Sequence, residues 1–178
     1  DGRTLRLAIA PAPVAENRLD GDLLLDESGS MGERDAGGRS KHETAIAGLR
    51  DAVGRLRSGD SVRLWRFDER HAFVGAVTDA ASLETALRGL TGPQGGTEIG
   101  SALAAVAGRP ESRTVIVVTD GKSHALDVQA LARTGRRFSV VLIGEDSLEA
   151  NVGHLAALSG AMPSEKAFRR IHDDGCAP

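Results

Sequence analysis

Leu23-Leu24-Leu25 passes without a break into Asp26-Glu27-Ser28-Gly29-Ser30, so a short apolar run ends in a turn bearing three oxygen side chains two residues apart. A run this short and this apolar reads as a buried strand of a parallel sheet. The pattern recurs in Val115-Ile116-Val117-Val118, which ends in Thr119-Asp120-Gly121, and in Phe138-Ser139-Val140-Val141-Leu142-Ile143. Helical periodicities separate these runs: Ile46, Leu49, Val53 and Leu56; Leu83, Ala86, Leu87 and Leu90; Ile99, Leu103 and Val106; Val128 and Leu131; Val152, Leu155 and Leu158. Strands alternating with helices predict an α/β fold, doubly wound, with a mostly parallel central sheet and helices on both faces. Residues 62–67 and 71–74 follow each other too closely for a crossover and should pair as a hairpin, giving one antiparallel edge strand. Residues 5–9 alternate in polarity and predict a further edge strand before Pro11 and Pro13 interrupt it.

A chain of 178 residues is long enough to bury a sizeable core and too short for two ordinary domains. The expectation is one domain over 1–178, with its core at about 22–160, an N-terminal edge strand and linker over 1–21, and a helix or tail over 161–178. No apolar run reaches membrane-spanning length and no signal peptide is visible. Asp1 stands where a Met would begin a primary product, which fits a processed or excised domain. A cytoplasmic location is expected ahead of a secreted or surface one, and the richness in Ala, Gly and Arg is compatible with a bacterial origin. The net charge of -3, with Arg scattered among acids, argues against a nucleic-acid partner. Trp65 and Phe67, alternating with Arg66, read as core packing in a strand. Cys176 is the single cysteine, which excludes an internal disulfide and a cysteine-based zinc cluster.

The chemistry gathers at the strand ends. Asp26, Ser28 and Ser30 offer a carboxylate and two hydroxyls, half the oxygen set that Mg²⁺ or Mn²⁺ prefers. Gly95-Gly96-Thr97 opens onto the helix of Ile99, Leu103 and Val106 and can add the Thr97 hydroxyl. Ligands of open α/β sheets bind outside the carboxyl ends of the strands, where Asp26 and Asp120 both fall. Taken alone, Asp26-x-Ser-x-Ser is equally a polar turn in which Asp or Ser caps the next helix.

Together, Asp26, Ser28, Ser30, Thr97 and Asp120, with Met31-Gly32 and the Asp120-Gly121 pair, resemble the von Willebrand factor type A domain and its metal-ion-dependent adhesion site. The resemblance spans roughly 22–160. It implies that the two Ser hydroxyls and Thr97 coordinate a divalent cation directly, that the carboxylates act directly or through water, and that a partner's Asp or Glu takes the remaining position. Mg²⁺ is the implied ion, with Mn²⁺ or Ca²⁺ as substitutes. The implied function is a non-catalytic, metal-dependent module that grips a protein ligand.

Two other classes stay open: a Mg²⁺-dependent hydrolase or phosphotransferase, and a metal-free structural domain. Against the first, the place of a second acid is taken by Ser28, and a Ser28 or Ser30 nucleophile would need a base such as His42 with an orienting partner. Glu98, Lys122 and Ser123 are candidates for a partner-binding rim, within the wider loops 32–41, 94–98 and 122–124. The family's usual last strand has no evident counterpart here, because 161–164 lacks β-branched residues; the expectation instead is a helix over 164–171, or a truncated or rearranged C-terminus.

Overall fold

The computed structural model describes residues 18–122, 126–144, 150–159 and 168–171. Its elements are β1 (Asp20–Asp26), a 3₁₀ turn (Gly29–Gly32), α1 (Lys41–Val53), β2 (Ser61–Phe67), β3 (His71–Val77), α2 (Ala80–Leu87), α3 (Ile99–Ala107), β4 (Thr114–Thr119), α4 (Val128–Ala132), β5 (Arg137–Ile143), α5 (Ala150–Leu158) and β6 (Phe168–Ile171). The strand expected over 5–9 lies outside the described residues.

Among the described residues, six strands form one sheet in the order β3-β2-β1-β4-β5-β6. All neighbours pair parallel except β2 and β3, so the antiparallel edge strand stands where the hairpin spacing put it. Successive side chains of a strand point to opposite faces, and here both faces are apolar. Leu24, Trp65, Phe67, Val115, Val117, Phe138, Val140 and Leu142 pack against α3, α4 and α5. Leu23, Leu25, Val62, Leu64, Val118 and Ile143 pack against α1 and α2. That double burial is why the strands read as continuous apolar runs. Trp65 and Phe67 are core residues, as the alternation with Arg66 indicated.

The helix expected over 164–171 is not formed in its last turn: residues 168–171 are a strand, paired in parallel with β5 from Val140↔Phe168 to Ile143↔Ile171. The sheet edge offers β5 a row of backbone partners, and that tertiary demand outweighs the weak local preference of Phe-Arg-Arg-Ile. The segments 161–167 and 172–178 lie outside the described residues.

Ser40 and Glu43 close a reciprocal cap on α1, with Glu43 N donating to Ser40 Oγ at 3.1 Å and Ser40 N donating to Glu43 Oε2 at 2.7 Å. This cap fixes the first turn of α1, and with it Lys41, beside the carboxyl ends of the strands.

At the opposite end of β1, Asp22 is fully buried. It accepts from Arg63 Nε and Nη2 at 2.9 and 3.0 Å, from Trp65 Nε1 at 2.8 Å and from Ser112 Oγ. Burial works against its charge, yet these donors prevail and hold the carboxyl below its usual range. Asp22→Ala leaves Trp65 Nε1 without its acceptor and Arg63 with Asp20 alone, and should cost about 3 kcal/mol, read from urea unfolding. A lowered folded pKa stabilises above the unfolded value of about 3.9 and is lost as pH falls through the folded value. The wild type should therefore lose more stability than Asp22→Asn on acidification below about pH 4.

Candidate metal centre

β1 sits where the strand order reverses direction, with β2 on one side and β4 on the other. The crevice outside the carboxyl ends of β1 and β4 is the switch point at which sheets of this order bind ligands. Asp26 ends β1 and Asp120 follows β4, and both side chains are fully buried. Ser28 N donates to Asp26 Oδ1 at 2.8 Å and Thr119 Oγ1 donates to Asp26 Oδ2 at 2.5 Å. Ser28 Oγ and Ser30 Oγ stand 3.3 Å apart on the 3₁₀ turn that leaves β1.

Burial pushes the Asp26 carboxyl above its ordinary range, and the nearby charge of Asp120 adds to the rise, against the hydrogen bonds from Ser28 and Thr119. A cation placed between two buried acids offsets the repulsion between them. Oxygens in adjacent positions on an octahedral Mg²⁺, each about 2.1 Å from the ion, stand about 3 Å apart, close to the Ser28–Ser30 separation. Among the described residues no group of three or more His, Cys, Asp or Glu side chains is arranged for a metal, so a cation here would depend on hydroxyl oxygens. The donor set suits a hard ion.

Thr97 lies on the loop between α2 and α3, which the fold brings to the same turn. Gly29 N donates to Gly95 O at 3.1 Å and Gln94 N donates to Glu27 O at 2.7 Å. Gly95 adopts φ +66°, a backbone region that favours glycine. Glu69 and Asp68 hold the loop from the β2–β3 hairpin: Gly96 N donates to Glu69 Oε1 at 3.2 Å, and Glu98 N donates to the Asp68 carbonyl at 2.8 Å.

At the rim, Glu98 is exposed at the start of α3, while Ser123 and His124 lie outside the described residues. Lys122 forms an ion pair with Glu33 at 2.8 Å and lies 3.9 Å from Asp120. Sequence reasoning missed Lys41. Its mostly buried ammonium bridges Glu33 Oε2 at 2.6 Å and Asp120 Oδ2 at 3.1 Å, and Lys122 and Lys41 together draw the Glu33 carboxyl below its usual range. The Ser40-x-x-Glu43 capping signature, which starts α1 at Lys41, was the available signal. His42, weighed as a base for a serine, instead turns Nε2 to Glu27 Oε1 at 3.4 Å, and that nitrogen makes no hydrogen bond to a serine.

An open α/β sheet with an oxygen-rich site at its switch point defines the class. The sequence matches the von Willebrand factor type A domain over residues 23–122, more than half of the chain, and the protein belongs to that family. No curated protein matches this sequence. Among solved structures, an aerotolerance-related membrane protein from Bacteroides fragilis superposes with TM-score 0.68 at 19% identity, covering 87% of this chain and 92% of that one. The manganese-loaded TRAP protein of Plasmodium vivax gives 0.58 at 19% identity, covering 86% and 68%. Proximal thread matrix protein 1 from the mussel byssus, with a zinc-occupied MIDAS motif, gives 0.64 at 17% identity, covering 86% and 43%. These likenesses establish the fold. Among the described residues no helix is long and apolar enough to cross a membrane.

Proposed function

We propose that this von Willebrand factor type A domain is a metal-dependent protein-interaction module. Asp26, Ser28, Ser30, Thr97 and Asp120 hold a divalent cation, Mg²⁺ first and Mn²⁺ or Ca²⁺ as substitutes, and the ion takes an Asp or Glu carboxylate of a protein partner. The observation that carries this reading is the pair of fully buried carboxylates, Asp26 and Asp120, at the ends of adjacent parallel strands beside two hydroxyls 3.3 Å apart. Hydroxyl ligation leaves the ion with residual positive charge, which favours an outside carboxylate over water. Glu98, Lys122 and Ser123 then border the partner. One structural neighbour is manganese-loaded and another holds zinc in its MIDAS motif, which supports a divalent ion here; in this reading the module is non-catalytic.

Thermal unfolding with and without Mg²⁺ tests the reading. An ion that binds the folded state alone stabilises it by about 1.4 kcal/mol at ten times its Kd. The melting temperature should therefore rise with millimolar Mg²⁺ or Mn²⁺, and Asp26→Ala should remove the rise while leaving the far-ultraviolet circular dichroism unchanged. A wild-type domain that melts at the same temperature with either ion lacks the site. Phosphatase and esterase assays on the Mg²⁺-treated protein address the hydrolase alternative.

A further inference from the structure

Glu27 fills the variable position between Asp26 and Ser28, and its side chain is fully buried. Its carboxylate is turned across the crevice to the loop that carries Thr97. Oε2 accepts from Thr91 N at 3.1 Å and from Thr91 Oγ1 at 2.9 Å, and Oε1 accepts from Gly92 N at 3.0 Å. Two backbone bonds reinforce the seam, from Gln94 N to Glu27 O and from Gly29 N to Gly95 O. Arg66 Nη1 lies 3.6 Å from Glu27 Oε2 and donates to Thr91 Oγ1 at 3.1 Å, so it closes the far side of the contact. At Gly29 the approach is close enough that an added Cβ would stand 3.2 Å from Gly95 O.

A buried carboxylate is unfavourable unless it is paired and hydrogen-bonded, and an apolar side chain would serve plain packing better. Here the hydrogen bonds that the carboxylate accepts come from one loop, while His42 of α1, 3.4 Å from Oε1, and Arg66 of β2 face it as charge partners at longer range. We infer that Glu27 is a positioning residue, a latch that holds the Thr97 loop against the turn of Asp26, Ser28 and Ser30, so that both halves of the cation site are assembled before an ion arrives. The inference rests on the cation-binding reading. An ordered loop spares the ion the entropic cost of fixing it, which raises affinity without a new contact to the metal.

Glu27→Gln in the full chain keeps the size but leaves one acceptor oxygen where there were two, so an NH₂ faces the donors on one side of the contact and the charge that holds the other side is lost. In metal-free protein, hydrogen exchange by NMR should show the Thr91 and Gly92 amides exchanging at least tenfold faster than in wild type. Calorimetric titration should show the Mg²⁺ Kd raised about tenfold or more. Phe138→Ala, a core change at the other end of the sheet, is the control for general destabilisation and should leave the Mg²⁺ Kd unchanged. Wild-type exchange at Thr91 and Gly92 in Glu27→Gln overturns the latch, as does an equal rise in Kd for Phe138→Ala. A wild type that ignores Mg²⁺ overturns the cation site itself, and fast Thr91 and Gly92 exchange in the same variant would still identify the contact, so the two failures separate.

Discussion

Chelation with EDTA is expected to abolish capture of the protein partner, and added Mg²⁺ to restore it. Asp26 and Asp120 are fully buried, so neither can reach a partner except through an ion held between them and the surface. Without that ion the partner's carboxylate would face two like charges, and the ammoniums of Lys41 and Lys122, which could offset them, already engage Glu33. With it, the carboxylate gains a coordination bond in a partly desolvated crevice. Changing the partner's key acid to its amide should cost at least about 2 kcal/mol, roughly thirtyfold in Kd, much of it the loss of a charge from a buried pair. Surface plasmon resonance with immobilised domain, in Mg²⁺ and then in EDTA, reads both effects. A complex that persists unchanged in EDTA would place the interaction on another face of the domain.

The fold was legible because burial on both faces writes itself into the sequence. Leu23 to Leu25 and Val115 to Val118 have no polar alternation, and the helices that cover them carry apolar residues at helical spacing. The β3 edge was legible from the short hairpin spacing, but the opposite edge was not. β6 is a four-residue edge strand with two arginines, and its existence depends on the backbone row that β5 presents rather than on its own composition. The strand ends that build the candidate site could be named because Asp26 and Asp120 directly follow the two clearest apolar runs. What could not be read was who faces whom across long sequence separations. Lys41 meets Asp120 across 79 residues, a contact that depends on α1 beginning where its Ser40 cap sets it, and Lys122 meets Glu33 across 89. Glu27 was hidden differently, inside the motif at the position the pattern leaves blank.

Phe138→Ala is expected to cost about 4 kcal/mol of stability while leaving the gain from Mg²⁺ intact. Phe138 is fully buried in β5, opposite Val115 of β4, and packs in the cluster that joins the sheet to α3, α4 and α5. Removing its ring deletes buried area and leaves a cavity that neighbouring strands, fixed by their ladders, cannot collapse to fill. Against the 5–15 kcal/mol typical of a domain, about 4 is a large fraction, so the urea midpoint should fall steeply. The ring sits one residue from the start of β5, near the amino ends of the strands, whereas Asp26 and Asp120 lie at the carboxyl ends. The two ends should then respond independently, because distant sites without shared partners add. Asp26→Ala should show the converse, keeping a folded metal-free domain with no response to Mg²⁺, since the alanine removes a carboxylate that the ion needs while the apolar core around β1 stays intact. Unfolding curves of the two single variants and the double variant, each with and without Mg²⁺, complete the cycle. A Phe138→Ala domain that keeps its fold but loses its Mg²⁺ response would mean that the core and the site are coupled through the sheet, and that the ion reads the packing of the whole domain rather than the geometry of one crevice.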